Sequence, residues 1–153
     1  MTATIQVSSE QPGANLTDRC RQTAARLVSA FAVQDIDTIM SEFAETSTYC
    51  DVSGEGQRGD EYRGKADIRA AFLQGFEVLG EHTYEALAVV AEGQTVFASW
   101  VLVIGRADDP SATRFDGVDH FEMDDSARVV LKKGWLKGQS QINGGLSSAS
   151  HAE

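Results

Sequence analysis

FDGVDHFEM, residues Phe115–Met123, is the stretch whose reading decides the fold. Taken two by two, it separates Asp116, His120 and Glu122, grouped around Val118, from Phe115, Gly117, Asp119, Phe121 and Met123. Alternation at period 2 marks a strand with one face on a core and one in water. Asp119 falls on the apolar face. An unpaired carboxylate there costs on the order of several kcal/mol, or takes up a proton. Two explanations follow from the residues alone: an ion pair with an Arg or Lys on a neighbouring strand, or a functional carboxylate in a pocket.

The same period runs through Tyr84–Ala91, Thr95–Arg106 and Arg128–Lys137, with turns at Glu92-Gly93, Asp108-Asp109-Pro110 and Asp124-Asp125-Ser126. Upstream the period is helical. Asn15 is a plausible N-cap for a helix carrying Cys20, Ala24, Leu27, Val28 and Phe31, and Asp35 caps a short helix with the stripe Ile36, Ile39, Met40 and Phe43. A third helix over Lys65–Leu79 has the stripe Ile68, Phe72, Phe76 and Leu79. Between the second and third, Ser47–Val52 (STYCDV) reads as a strand and SGEGQRGDEYRG as a polar loop that is no core element. Helices followed by a run of antiparallel strands define an α+β fold, with three N-terminal helices on one face of a strongly curved sheet and a concave space between the layers. Residues 1–14 and 140–153 are polar, small and aperiodic and read as flexible tails, leaving 15–139 as one domain.

With 153 residues, 42% hydrophobic, the chain suits a single core. Thirteen Lys and Arg against 23 Asp and Glu give a net charge of -10, which argues against nucleic acid or an anionic membrane as partner. No apolar run approaches the roughly 18 residues of a membrane span, and MTATIQVSSEQPGAN lacks the regions of a signal peptide, so the expected compartment is the cytoplasm. Cys20 and Cys50 have no metal-ligand spacing and read as buried thiols. No metal constellation appears, the loop at 53–64 lacks the features of a phosphate cradle, and no cofactor is expected.

In STYCDV, Tyr49 and Asp51 share a face, which suggests a polar cluster on a buried surface; Asp51 could equally cap the loop that starts at Ser53. Trp100 lies with Val96, Ala98, Leu102 and Ile104 on one strand face, as pocket wall or core. Trp135 is placed at a pocket mouth or a dimer interface, and His120 on the polar face of its strand, as an interfacial residue.

VDHF (Val118–Phe121), the pair Val129-Val130, CDVSG (Cys50–Gly54), RGKADIRAAF (Arg63–Phe72) and FAVQDIDTI (Phe31–Ile39) together resemble the ketosteroid isomerases. These belong to the nuclear-transport-factor-2-like superfamily, which also holds SnoaL-like polyketide cyclases and limonene epoxide hydrolases. The resemblance runs from about Arg19 to Gly138. It implies a cone-shaped α+β barrel, commonly dimeric, that binds a small hydrophobic molecule of steroid, polyketide or terpene type. Carried over residue by residue, the family's general base falls on Asp51 and its neutral hydrogen-bond-donating aspartate on Asp119. The family's tyrosine donor on the first helix falls on Leu27, which cannot donate, so the steroid reaction itself is not the expected one; Tyr49, Tyr62 or Tyr84 could supply a phenol from another direction. The remaining expected pocket wall is Leu27, Tyr49, Phe72, Trp100, Phe121 and Trp135. The resemblance therefore implies an acid–base isomerase or cyclase acting on a carbonyl compound. Two alternatives stand beside it: epoxide opening, with Asp51 paired to Glu81 or Glu85, and a non-catalytic ligand-binding or dimerisation module. The Asp-Arg-Asp set of the epoxide hydrolases is missing, because its arginine would be Gly117 and its strand partner would fall near Gly134.

Overall fold

The computed structural model describes residues 15–138; the expected tails lie outside the described residues. Helix α1 (Leu16–Ala32) starts at Asn15, whose side chain accepts from the Asp18 amide. Helix α2 (Ile36–Ser41) starts at Asp35, which accepts from the Thr38 amide and hydroxyl. Both caps satisfy amides that a helix start leaves without an internal partner. Helix α3 spans Lys65–Leu79 and ends at Gly80, whose φ of +66° suits a residue without Cβ.

Six strands form one sheet: β1 (Phe43–Cys50), β2 (Glu61–Arg63), β3 (His82–Glu92), β4 (Thr95–Ile104), β5 (Thr113–Met123) and β6 (Val129–Leu136), in the order β2-β1-β6-β5-β4-β3. All pairings are antiparallel except β1 with β6, which is parallel. Register shifts within the β1–β6, β3–β4 and β5–β6 pairs bend the sheet, and the helices fill its concave side. The edges β2 and β3 do not pair, so the expected barrel is an open, curved sheet. β1 begins directly after α2, four residues earlier than its β-period suggests, and stops at Cys50. The loop after it contributes β2, a three-residue strand on the β1 edge whose Tyr62 packs against the core, although the loop composition predicts no core element there.

Along β5, Asp119, Phe121 and Met123 are buried while Asp116, His120 and Glu122 are less so, which is the parity read from the sequence. The core beneath joins Leu27, Ile39, Phe43, Ile68, Val96, Phe121 and Val129, all fully buried. Cys20 and Cys50 are free and buried, too far into the packing to be reached from solvent. Among the described residues no helix is long and apolar enough to cross a membrane.

Candidate active site

Between α1, α3 and the concave face of the sheet lies a cavity of about 360 Å³, within the range that holds a small organic ligand. Its walls are mainly apolar: Val28 and Phe31 from α1, Phe72, Phe76 and Leu79 from α3, Leu102 from β4 and Leu136 from β6. Polar side chains also reach it. They are Tyr49, Asp51, Ser53, Asp60, Tyr62, Gln74, Tyr84, Trp100, Asp119 and Lys132.

Besides the exposed Asp60, two carboxylates reach this cavity, one from the end of β1 and one from β5. Asp51 directly follows β1, where the strand ends and the chain turns. Its Oδ1 accepts from the Tyr49 hydroxyl at 2.8 Å and from the Val52 amide at 2.7 Å, and its Oδ2 accepts from the Ser53 hydroxyl at 2.7 Å. The polar cluster and the loop cap foreseen for this residue are thus one arrangement. Three of the roughly four lone-pair positions of an ionised carboxylate are taken, and one on Oδ2 is left.

Asp119 is only 5% exposed. Its Oδ2 accepts from the Trp100 indole at 3.0 Å, and its Oδ1 accepts from Lys132 Nζ at 2.8 Å. The basic partner that parity left open is therefore Lys132 on the neighbouring strand, itself 6% exposed. Both Asp119 oxygens serve as acceptors, so the acid-proton donor that the resemblance implies would have to break one of these bonds.

Two glycines make the cluster possible. Gly117 faces Trp100 across the β4–β5 ladder, and a Cβ there would fall inside the indole ring. Gly134 faces Asp119 across the β5–β6 ladder, and a Cβ there would come within 2.8 Å of Val52 and 3.2 Å of the Asp119 carboxylate. An arginine at position 117 would collide with Trp100 in the same way, so the departure from the epoxide-hydrolase pattern has a steric cause.

Lys132 was not foreseen as a site residue. Four rings surround its ammonium, with centroids 5.0 Å (Tyr49), 5.4 Å (Phe31), 5.9 Å (Phe121) and 6.0 Å (Phe72) away. Ring faces carry partial negative charge and offset part of the lost hydration of the cation. Burial pushes the Tyr49 phenol well above its ordinary range, with Asp51 adding to the effect through charge and hydrogen bond. Burial also raises Tyr84, helped by the charges of Asp119 and Asp51. Tyr84 packs edge-on against Trp100 with ring centroids 5.1 Å apart.

Of the expected wall, Tyr49, Phe72 and Trp100 do line the cavity. Leu27, Phe121 and Trp135 do not. Leu27 and Phe121 are fully buried in the core beneath it, and Trp135 is half exposed, because its strand parity turns it outward while Lys132, Gly134 and Leu136 turn inward. Glu81 is exposed, and Glu85 pairs with Arg114 at 2.7 Å away from the cavity, so neither joins Asp51. Tyr62 stacks on Tyr49 at 5.9 Å and forms part of the mouth.

Three helices seated in an open, curved, mostly antiparallel sheet with a pocket at its centre define the nuclear-transport-factor-2-like class of fold. Within it, residues 24–131 match the model of the SnoaL-like domain, and the chain belongs to that family. Solved structures agree on the fold. Bal32a, from a soil-derived mobile gene cassette, is 20% identical with a TM-score of 0.67, covering 82% of this chain and 95% of its own. A candidate ketosteroid isomerase from Kribbella flavida is 20% identical with a TM-score of 0.63, covering 79% of each chain. SalBIII, an epoxide hydrolase/cyclase-like enzyme with a role in pyran ring formation in the polyether salinomycin, is 21% identical with a TM-score of 0.62, covering 80% of this chain and 93% of its own. No curated protein matches the chain.

Proposed function

We propose that the protein is an acid–base enzyme that moves a proton within a small hydrophobic carbonyl compound. The observation that carries this reading is that two carboxylates, Asp51 just past the end of β1 and Asp119 on β5, open onto one cavity of about 360 Å³. Asp51 is the general base. It is held by three donors in one orientation, keeps one lone pair unoccupied and lines the cavity, so it can take a proton from carbon and return it to another carbon of the same substrate. The carbonyl oxygen lies at the Asp119 end, where the polar groups of the far wall gather.

Membership of the SnoaL-like family and the fold shared with a candidate ketosteroid isomerase support this class of chemistry. The test is isomerisation, or α-deuterium exchange, of a β,γ-unsaturated ketone. The wild type is expected to accelerate it, and Asp51→Asn to lose about 100-fold or more while still binding the ligand. Equal rates in the two proteins would remove Asp51 from the role of base. Inertness of both across enones, hydroxy-ketones and epoxides would make the chain a binding module.

The same reading includes a homodimer built on the outer sheet face. Trp135 and Phe97 are 50% and 46% exposed there, and Phe97 stacks on His120 with ring centroids 4.7 Å apart. Exposed aromatic groups on an uncovered sheet suit a two-fold contact. Sedimentation of the protein as a monomer at micromolar concentration would exclude it.

A further inference from the structure

Lys132 has a use that its ion pair does not exhaust. An ammonium carries three N–H donors, and Lys132 makes one hydrogen bond, to Asp119. The others lie among four aromatic rings at the cavity wall, with no further hydrogen bond among the described residues. We propose that Lys132 is the residue that binds the substrate's carbonyl oxygen and stabilises it as an enolate, with Asp119 as its positioning residue. This rests on the proton-transfer reading given above.

The balance of charge then names the class of ligand. Of the charged groups on the cavity, Asp60 is exposed at the rim, while Asp51, Asp119 and Lys132 lie inside. Two carboxylates against one ammonium leave an excess of one negative charge. When Asp51 takes the α-proton, the C–H bond breaks, its electron pair forms the C=C bond, and the carbonyl π pair moves onto oxygen beside Lys132. The interior total does not change. Negative charge only shifts from Asp51 to the oxygen that the ammonium faces, and returning the proton to another carbon reverses the shift. A ligand that arrives as an anion would instead add a second uncompensated charge to a low-dielectric space. The pocket therefore selects neutral, enolisable ligands and rejects carboxylates of the same shape.

Three bicyclic probes test this on the folded full-length protein: β-tetralone, an enolisable ketone followed by α-deuterium exchange; 2-naphthol, a stable enol mimic; and 2-naphthoate, an anion of similar size. The last two are followed by calorimetry. The wild type is expected to bind 2-naphthol at least about 10-fold tighter than 2-naphthoate. Asp119→Asn keeps the ammonium and removes one negative charge, so it should raise 2-naphthoate affinity by about 10-fold, a gain that a purely structural role would not produce.

Lys132→Met alone strands a buried carboxylate, so the decisive variant is the double substitution Asp119→Asn/Lys132→Met, which removes both charges. It should lose about 10-fold or more in 2-naphthol affinity and about 100-fold in β-tetralone exchange. Unchanged 2-naphthol binding in the double variant, no gain of 2-naphthoate in Asp119→Asn, or no 2-naphthol binding by the wild type would each overturn the assignment. If Asp51→Asn abolishes exchange while the double variant binds 2-naphthol like the wild type, the proton-transfer reading stands and the Lys132 assignment falls. If the wild type exchanges nothing yet the binding results come out as expected, the catalytic reading falls and Lys132 remains the ligand-oxygen site.

Discussion

The buried Asp119–Lys132 pair gives the sharpest stability measurement. Both side chains are almost out of water, at 5% and 6% exposure, and they meet at 2.8 Å. Removing one member of such a pair costs about 3 to 5 kcal/mol, because the other charge stays buried without compensation. Two features of this site favour the low end. The rings around Lys132 each retain some attraction for the cation, and the cavity can admit water to one side of the pair. Asp119→Asn keeps an acceptor for only one of its two donors, the Trp100 indole or Lys132, and turns an amide NH2 toward the other, so the loss combines the charge with one hydrogen bond. The expected cost is about 3 kcal/mol for Asp119→Asn and about the same or more for Lys132→Met. The double variant leaves two neutral groups of nearly the original volume and should lose no more than about 1 kcal/mol, since neutral replacement of a buried pair is often tolerated. Urea unfolding of the four proteins, with unchanged m-values, reads these numbers directly. Single variants within about 0.5 kcal/mol of the wild type, or a double variant whose loss equals the sum of the singles, would refute the claim that the two charges depend on one another.

Two further outcomes follow from the packing. Leu27→Tyr places a phenol in the fully buried core and off the cavity, so it should destabilise by about 1 to 3 kcal/mol through overpacking and leave ketone turnover no faster; a gain of 10-fold in turnover would show that position 27 does reach the ligand. Stability should also fall above about pH 10, where the unfolded chain ionises its phenols but the folded chain, with Tyr49 and Tyr84 raised by burial, does not. The sign is fixed because the unfolded state then holds fewer protons, so each such phenol removes about 1.4 kcal/mol per pH unit until its folded value is reached. Urea midpoints at pH 9 and pH 11 measure this, and equal midpoints would contradict it.

What could be read from the sequence was whatever depends on local period and parity. The helix starts at Asn15 and Asp35 carry their own capping side chains, and α3 and β5 have the ends their patterns give. Asp51 with Tyr49 and Asp119 with its apolar neighbours were visible because an alternating strand assigns every side chain to a face. What failed needed pairing between distant segments. The parallel contact of β1 with β6 joins the first strand to the last, and nothing within either strand announces it. Leu27 and Phe121 lie on inward-facing stripes, but inward includes both core and cavity wall, and periodicity does not distinguish them.

Lys132 shows the same limit most clearly, and also how it can be passed. In KKGWLKG a lysine looks like one of three solvated charges. Its face is nevertheless determined once the β5–β6 register is known. Asp119 lies opposite Gly134 and Phe121 opposite Lys132, and residues opposite one another share a face, so Lys132 sits diagonally from Asp119 on the inner side. The absence of a Cβ at Gly134 leaves room for Val52 and for the Asp119 carboxylate that the lysine reaches. A carboxylate on an apolar face already demands a cation, and β6 offers one at inward parity with a glycine beside it. The turn Asp124–Arg128 that joins the two strands is where that register is set, since a slip of one residue would turn Lys132 to solvent and bring Lys133 and Trp135 inside. The chemistry proposed for this pocket therefore depends on a turn remote from it: Asp124, which accepts from the Ser126 and Arg128 amides, holds the ammonium on the side of the sheet where a ligand can meet it.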